Sequence, residues 1–173
     1  NLIAVGTLKQ SKGYMRLLNI MKRLREHDEK VHLYILGRGS LQGEMEQFIR
    51  EHSMEKLVTL LGYDTNPYQY IARADLFVCA SFSEGFSTAA TEALIVGTPV
   101  CTVEVSGMKE MLGENNEWGI VTENNEEALY QGIKELLDDP VLLAHYKEKA
   151  SRRGSDFSTK ETVRAVENML LGL

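Results

Sequence analysis

One stretch near the middle of the chain constrains the fold more than any other. An apolar run, 74–80, leads into a loop rich in serine and glycine, 81–87, and the loop opens a helical segment that continues to Leu94. The turn Gly97-Thr98-Pro99 then returns the chain to a second apolar run near Val100. This pattern predicts a βαβ unit whose loop lies at the carboxyl end of a strand. Open α/β sheets bind ligands at that edge, and the first N–H groups of a helix favour an anion.

Two carboxylates flank this predicted anion site, Glu84 in the loop and Glu92 about one turn into the helix. Glu92 does not fit a capping box, because the residue three positions before it is Ala89. An exposed helical glutamate is one interpretation. A carboxylate that accepts both hydroxyl groups of a ribose diol is another. A third is the acid and base pair of a glycoside hydrolase, which requires the two carboxylates to flank a glycosidic bond.

Composition narrows the class of protein. The chain has 173 residues, of which 43% are hydrophobic and 25% are charged, as expected for a single globular domain. Its net charge of -6 argues against nucleic-acid binding, which requires a basic face. Cys79 and Cys101 lie in apolar runs and are predicted to be buried free thiols. The histidines and cysteines show no metal-ligand spacing, so no metal site is predicted.

The ends of the chain and its hydropathy lead to two further expectations. No apolar run approaches the ~20 residues that cross a bilayer, and no signal peptide precedes the first strand, so a reducing, cytoplasmic setting is expected. The chain begins without methionine inside an apolar run, and we therefore expect residues 1–173 to be one domain of a longer protein.

Strand and helix patterns alternate along the chain. Apolar runs predict six strands, at 2–5, 31–36, 58–61, 74–80, 99–105 and 119–121. Helical patterns follow at 14–25, 40–52, 68–73, 87–94, 106–113, 126–137, 140–153 and 158–171. Ser40 and Ser106 are predicted caps, and Ser158 begins a capping box. The fold class is therefore α/β: a doubly wound, Rossmann-like, parallel six-stranded sheet with helices on both faces.

Two loops near the amino terminus are further candidates for a ligand site. Lys12 ends the loop after the first strand, where an ammonium group could meet a phosphate, although position alone favours a solvated loop lysine. Gly37 and Gly39 after the second strand suggest a dinucleotide motif, but Gly43 comes one place too late for it. The motif also belongs to the first strand of such domains, so this signal is weak.

Several motifs in a fixed order resemble those of one enzyme family. Glu84 and Glu92 with the following Gly97-Thr98-Pro99 resemble the E-x7-E signature of retaining glycosyltransferases of family 4, the group 1 glycosyltransferases of GT-B fold. The loop 6–13, the turn 37–40 and the segment 106–110 are similar to further motifs of that family. The resemblance covers nearly the whole chain. It implies the carboxyl-terminal, donor-binding half of such an enzyme.

The resemblance also implies a role for each matching residue. Lys12 would hold the donor diphosphate, Glu92 would bind the ribose hydroxyls, and Glu84 would contact the transferred sugar. The implied backbone and base contacts of the donor involve Gly39, Tyr63, Gly85, Phe86, Ser87, Thr88 and Ala89. No metal and no cofactor are implied, because Lys12 and the helix dipole would neutralise the leaving diphosphate.

Two positions depart from the family pattern. Thr7 stands where the family often has arginine, which would remove a charge-assisted contact worth about 1.5–3 kcal/mol. Lys9 and Arg38 are candidates to compensate for it. Arg38 also replaces the usual acidic residue, which leaves the choice of base and donor open.

The resemblance implies transfer of a hexosyl group, with retention, from a nucleotide-sugar, UDP-linked in the main hypothesis, to a saccharide or lipid acceptor in bacterial capsule or cell-surface polysaccharide synthesis. The isolated chain is expected to bind nucleotide without transferring sugar, since the acceptor half is absent. Peripheral association of the full-length enzyme with a membrane is compatible with such an acceptor. An NAD-binding oxidoreductase domain and a non-catalytic Rossmann-like interaction domain are the alternatives.

Overall fold

The computed structural model of the chain describes residues 1–26 and 30–157. Six parallel strands form one sheet, in the order β3-β2-β1-β4-β5-β6. The strands are β1 Leu2–Val5, β2 Leu33–Leu36, β3 Val58–Gly62, β4 Leu76–Cys79, β5 Val100–Val103 and β6 Ile120–Thr122. The predicted six-stranded α/β sheet is confirmed. The predicted helix 158–171 and its capping box lie outside the described residues.

Helices cover both faces of this sheet. They are α1 Tyr14–Glu26, α2 Gln42–Glu51, α3 Tyr68–Ile71, α4 Thr88–Ile95, α5 Met108–Leu112, α6 Glu126–Asp138 and α7 Pro140–Asp156, with a short 3-10 turn at Gln10–Lys12. Side chains alternate along each strand, so Leu2 and Ala4 pack with α1, α2 and α6, whereas Ile3 packs with α3, α4, α5 and α7. Burial on both faces explains the continuous apolar runs of the strands.

The order of the strands places a crevice at the centre of the sheet. From β1 the chain proceeds outward through β2 and β3, and it then returns to the other side of β1 with β4, β5 and β6. The connections that leave β1 and β4 therefore diverge to opposite sides. Such a switch point opens a crevice beyond the carboxyl ends of the two strands, where ligands bind in open α/β sheets.

Two predicted helix caps are wrong. Helix α2 begins after Leu41, which has helical backbone angles and no side-chain cap, and the Leu41 amide donates instead to the Leu8 carbonyl at 3.0 Å. Ser40 therefore precedes the cap. Helix α5 begins after Gly107, whose φ of 80° is favoured by glycine, so Ser106 does not cap it. By contrast, Ser87 caps α4, because its side chain accepts a hydrogen bond from the Ala90 amide at 3.3 Å.

The two cysteines are buried free thiols, as predicted. Cys101 lies within the core beneath α6, and burial raises the pKa of its thiol well above the usual range. It therefore behaves as a small apolar side chain of the core.

Thr98 of the Gly-Thr-Pro turn ties the start of β5 to α3. Its hydroxyl is buried and donates to the Ile71 carbonyl at 2.8 Å. In Thr98→Val the shape is retained while this bond is lost, and the Ile71 carbonyl keeps the Ala74 amide as its donor at 3.1 Å, so we expect the free energy of unfolding to fall by about 0.5–1.5 kcal/mol. Urea denaturation measures the change. A value within a few tenths of wild type would show that water or a neighbouring group replaces the lost bond.

Candidate functional site

The carboxyl ends of β1 and β4 open into a cleft formed by two adjoining pockets. The smaller pocket has a volume of about 190 Å³ and lies between the β1 and β4 loops. The larger has a volume of about 530 Å³ and extends towards β2 and β3. Val5, Gly6 and Thr7 line both pockets, so the two form one continuous cleft along the edge of the sheet. This is the position that the sequence predicts for a ligand.

The loops after β1 and β4 meet because Gly13 has no side chain. Its φ is 68°, and a Cβ atom at this position would lie only 1.9 Å from the Ala80 carbonyl oxygen. The Phe82 amide also donates to the Ser11 carbonyl at 2.8 Å, which joins the two loops directly. These contacts bring residues near position 12 against residues near position 84.

Lys12 and Glu84 form an ion pair in the smaller pocket. The Lys12 ammonium nitrogen lies 2.5 Å from Oε1 of Glu84, and the exposed fractions of the two side chains are 24% and 9%. The hydroxyl of Ser81 donates to the same carboxylate oxygen at 2.7 Å. A carboxylate this well buried is stable only with such partners. The pocket thus contains one cation and one anchored carboxylate at its wall.

The amino-terminal end of α4 completes the smaller pocket. Ser87, Thr88 and Ala89 line it opposite the β1 loop. The first turn of a helix carries N–H groups without intrahelical partners and a partial positive charge. Together with the Lys12 ammonium group, this end of α4 favours a bound anion.

The larger pocket combines a carboxylate with aromatic and cationic groups. Glu92 lines it, and partial burial raises the pKa of this carboxyl, an effect opposed by a hydrogen bond with Tyr68. The guanidinium of Arg38 lies 4.6 Å from the centre of the exposed Tyr63 ring. Asp64 accepts hydrogen bonds from the Asn66 amide and the Tyr70 hydroxyl, which lower its pKa. A flat polar ligand with hydroxyl groups would fit this chemistry.

The structure gathers most of the predicted site residues at the cleft. Lys12, Glu84, Phe86, Ser87, Thr88 and Ala89 line the smaller pocket, and Tyr63 and Glu92 line the larger one. Gly39 and Gly85 line neither. Gly39 is pressed against the β1 loop, since a Cβ atom there would lie 2.2 Å from the Leu8 carbonyl oxygen. The functional roles assigned to all ten residues stay predictions.

The same packing accounts for the glycines that suggest a dinucleotide motif. A Cβ atom at Gly37 would lie 1.9 Å from the Gly6 carbonyl oxygen, so Gly37 and Gly39 both allow close approach of the β1 loop. Gly43 lies in α2 with open space around it. Gly37 and Gly39 therefore serve backbone packing. The two glutamates of the hydrolase hypothesis line different pockets.

Besides Ser81, which donates to Glu84, sequence reasoning missed three side chains that shape the site. Tyr14 lines the smaller pocket, and burial raises the pKa of its hydroxyl, assisted by Cys79 and Glu84. Asn124 donates to the Ser81 and Phe82 carbonyls at 3.4 and 3.3 Å, and it accepts a bond from Arg16 at 2.8 Å. The Arg16 guanidinium also stacks on Phe82 at 4.0 Å. No sequence motif predicts these contacts, because they join segments far apart in the chain.

The described residues form neither a metal cluster nor a membrane-spanning helix. Across residues 1–26 and 30–157, no three histidine, cysteine or acidic side chains cluster in a way that could hold a metal ion. Nor does this part of the structure contain a helix long and apolar enough to cross a membrane. The cleft itself offers two cations, Lys12 and Arg38, together with exposed aromatic groups and three carboxylates, those of Glu84, Glu92 and Asp64.

Comparison with known proteins decides the family. The sequence model of the family "Glycosyl transferases group 1" matches residues 1–153. The chain belongs to this family. This group 1 glycosyltransferase domain is 37% identical over 173 residues to N-acetylgalactosamine-N,N'-diacetylbacillosaminyl-diphospho-undecaprenol 4-alpha-N-acetylgalactosaminyltransferase of Campylobacter jejuni, and the match covers 99% of the chain and 46% of that enzyme.

A second curated relative and two solved structures are also similar to the chain. The glycosyltransferase domain is 26% identical over 135 residues to poly(ribitol-phosphate) alpha-N-acetylglucosaminyltransferase of Staphylococcus aureus, covering 78% of the chain and 27% of that protein. The pneumococcal O-GlcNAc transferase GtfA, solved with UDP and GlcNAc, has a TM-score of 0.87 at 20% identity, covering 99% of the chain and 35% of GtfA. Anabaena HepE, solved with UDP, has a TM-score of 0.86 at 22% identity, covering 99% of the chain and 49% of HepE.

These comparisons confirm two predictions, the resemblance to group 1 glycosyltransferases and the Rossmann-like fold of one GT-B half. The domain spans about half the length, or less, of the curated relatives described above. The low identities to GtfA and HepE establish a common fold, and the family itself rests on the sequence match.

Proposed function

We propose that this domain is the donor-binding half of a retaining glycosyltransferase that uses a UDP-linked sugar. The observation that carries the proposal is the convergence of Lys12, Glu84, Glu92 and the start of α4 on one cleft at the β1/β4 switch point. In this proposal residues 1–173 act as a single domain. The acceptor site belongs to the other half of the enzyme, so the isolated domain binds donor without transferring sugar.

The diphosphate of the donor lies in the smaller pocket. Lys12 and the N–H groups at the start of α4 surround that pocket, and both favour negative charge. As the bond between the sugar and the diphosphate breaks, negative charge grows on the leaving oxygen. Fixed donors that face this charge lower the barrier without a metal ion, and none is required in this proposal.

The nucleoside lies in the larger pocket. Glu92 is half-buried at its wall and accepts the two ribose hydroxyls. The base lies near Tyr63 and Arg38, which present an aromatic ring and a guanidinium plane close together. The transferred sugar extends from the diphosphate towards Glu84, Gly85 and Phe86, and the reaction retains the anomeric configuration.

The names of the relatives support a more specific donor and acceptor. The Campylobacter jejuni enzyme is named for transfer of N-acetylgalactosamine to a saccharide on diphospho-undecaprenol. The Staphylococcus aureus enzyme is named for transfer of N-acetylglucosamine to poly(ribitol-phosphate). We therefore propose a UDP-N-acetylhexosamine as donor and a lipid-linked or polymeric saccharide of the cell surface as acceptor. An enzyme with that acceptor works in the cytoplasm, with peripheral contact to the membrane.

The ribose contact of Glu92 tests this assignment. In Glu92→Ala we expect the affinity for UDP to fall by about 10- to 100-fold, because two hydrogen bonds to a charged group are lost while relief of the repulsion between this carboxylate and the diphosphate offsets part of the loss. Wild type is expected to prefer UDP to 2'-deoxy-UDP, and the variant is expected to lose most of that preference. Isothermal titration calorimetry without added metal measures both affinities.

A matched control separates this contact from a general charge effect. Glu55→Ala removes the same charge from an exposed position at the opposite edge of the sheet, and its UDP affinity should equal that of wild type. Guanosine and adenosine diphosphates and NAD complete the panel. Preferential binding of NAD, or a loss of UDP affinity in both variants alike, would contradict the donor assignment.

A further inference from the structure

We propose that Ser81 is a positioning residue that holds the Glu84 carboxylate in the orientation in which it meets the transferred sugar; this rests on the function proposed above. Ser81 is 1% exposed, and its hydroxyl donates to Oε1 of Glu84 at 2.7 Å. A buried hydroxyl has one proton to donate, and here that proton is committed to the carboxylate. The E-x7-E motif, which consists of Glu84 and Glu92, assigns no role to Ser81.

Both donors to Glu84 select the same oxygen. The Lys12 ammonium and the Ser81 hydroxyl contact Oε1, whereas Oε2 has no hydrogen-bond partner within the described part of the chain. Occupation of Oε1 from two sides sets the rotation of the carboxylate plane. Oε2 is thereby the oxygen available to a hydroxyl group of the sugar.

Ser81 is the donor that remains when the ligand is bound. The proposed diphosphate draws on the Lys12 ammonium, which sits at the end of a long and flexible side chain. The Ser81 hydroxyl, by contrast, donates its one proton to Glu84 and is not needed by the diphosphate. Its oxygen accepts a weak bond from the Cys79 thiol at 3.5 Å, and Asn124 holds its carbonyl. The hydroxyl therefore stays on the carboxylate while Lys12 is shared with the donor.

A binding cycle in the full-length enzyme tests the inference. UDP and UDP-N-acetylgalactosamine are titrated against wild type, Ser81→Ala, Glu84→Ala and the double variant. We expect Ser81→Ala to weaken UDP-N-acetylgalactosamine about tenfold relative to UDP, with UDP itself nearly unchanged. In the Glu84→Ala background, where no carboxylate remains to accept the hydroxyl, the same serine change should have little further effect, because Ser81 acts through Glu84.

The controls distinguish positioning from general damage to the loop. Ser83→Ala makes the same chemical change at an exposed position of the same loop and is expected to match wild type for both ligands. If Ser81→Ala does not fold, Ser81→Cys keeps the shape with a weaker donor and is read in the same way. Equal loss of UDP and UDP-N-acetylgalactosamine, or an undiminished serine effect in Glu84→Ala, overturns the inference. Absence of UDP binding in wild type would instead refute the proposed function.

Discussion

Replacement of Lys12 with methionine is expected to weaken UDP binding by about a hundredfold. The change removes the cation that faces the proposed diphosphate. It also leaves the Glu84 carboxylate, with only 9% of its side chain exposed, without a counter-charge beside two phosphate groups. Repulsion therefore adds to the lost attraction. Calorimetric titration with UDP measures the loss, and uridine, which has no phosphate, should bind both proteins equally.

Lys9 provides the comparison for Lys12. It lies in the same loop but is exposed and lines neither pocket, so Lys9→Met should leave UDP affinity unchanged. This variant also tests whether Lys9 compensates for Thr7, which lines both pockets where the family often has arginine. Equal weakening by the two lysine variants would mean that the loop acts through its overall charge. An unchanged affinity in Lys12→Met would contradict the diphosphate assignment.

Substitution of Gly13 with alanine is expected to lower the free energy of unfolding by about 2–5 kcal/mol. The left-handed backbone conformation costs an alanine about 1–2 kcal/mol. Relief of the contact with the Ala80 carbonyl, at 1.9 Å from an ideal Cβ atom, requires the two loops to separate and costs about 1–3 kcal/mol more. Thermal unfolding should show a midpoint about 5–15 °C lower.

Gly13→Ala should also weaken UDP binding, because the separation moves Lys12 away from α4. The matched control is Gly43→Ala in helix α2, where an added Cβ atom meets nothing within 4 Å. This change is expected to be neutral or to stabilise the domain by up to about 1 kcal/mol. Equal midpoints for the two alanine variants would show that the β1 loop yields easily and that its approach to β4 does not depend on glycine.

Much of the fold can be predicted from local patterns alone. The bounds of β1 match the prediction, and the other strands differ by the residues that flank them, such as Ala74 and Ala80 beside β4. Apolar runs with helical stripes between them lead to an α/β sheet with both faces covered, since each pattern reflects burial within one element. The predicted cap at Ser40 is wrong because α2 begins after Leu41, whose amide donates to the backbone of the β1 loop. The predicted cap at Ser106 is wrong because α5 begins after Gly107, which has a positive φ.

The candidate site also combines features that local patterns predict with contacts that they do not predict. Residue type and spacing are enough to predict the family, the order of the strands and helices along the chain, and the candidates Lys12, Glu84 and Glu92. The three-dimensional packing was needed to show that Lys12 meets Glu84, 72 positions away, that Ser81 and Tyr14 share their pocket, and that Gly39 packs against Leu8. Periodicity reports burial within one element, whereas such contacts depend on how closely two distant backbones approach.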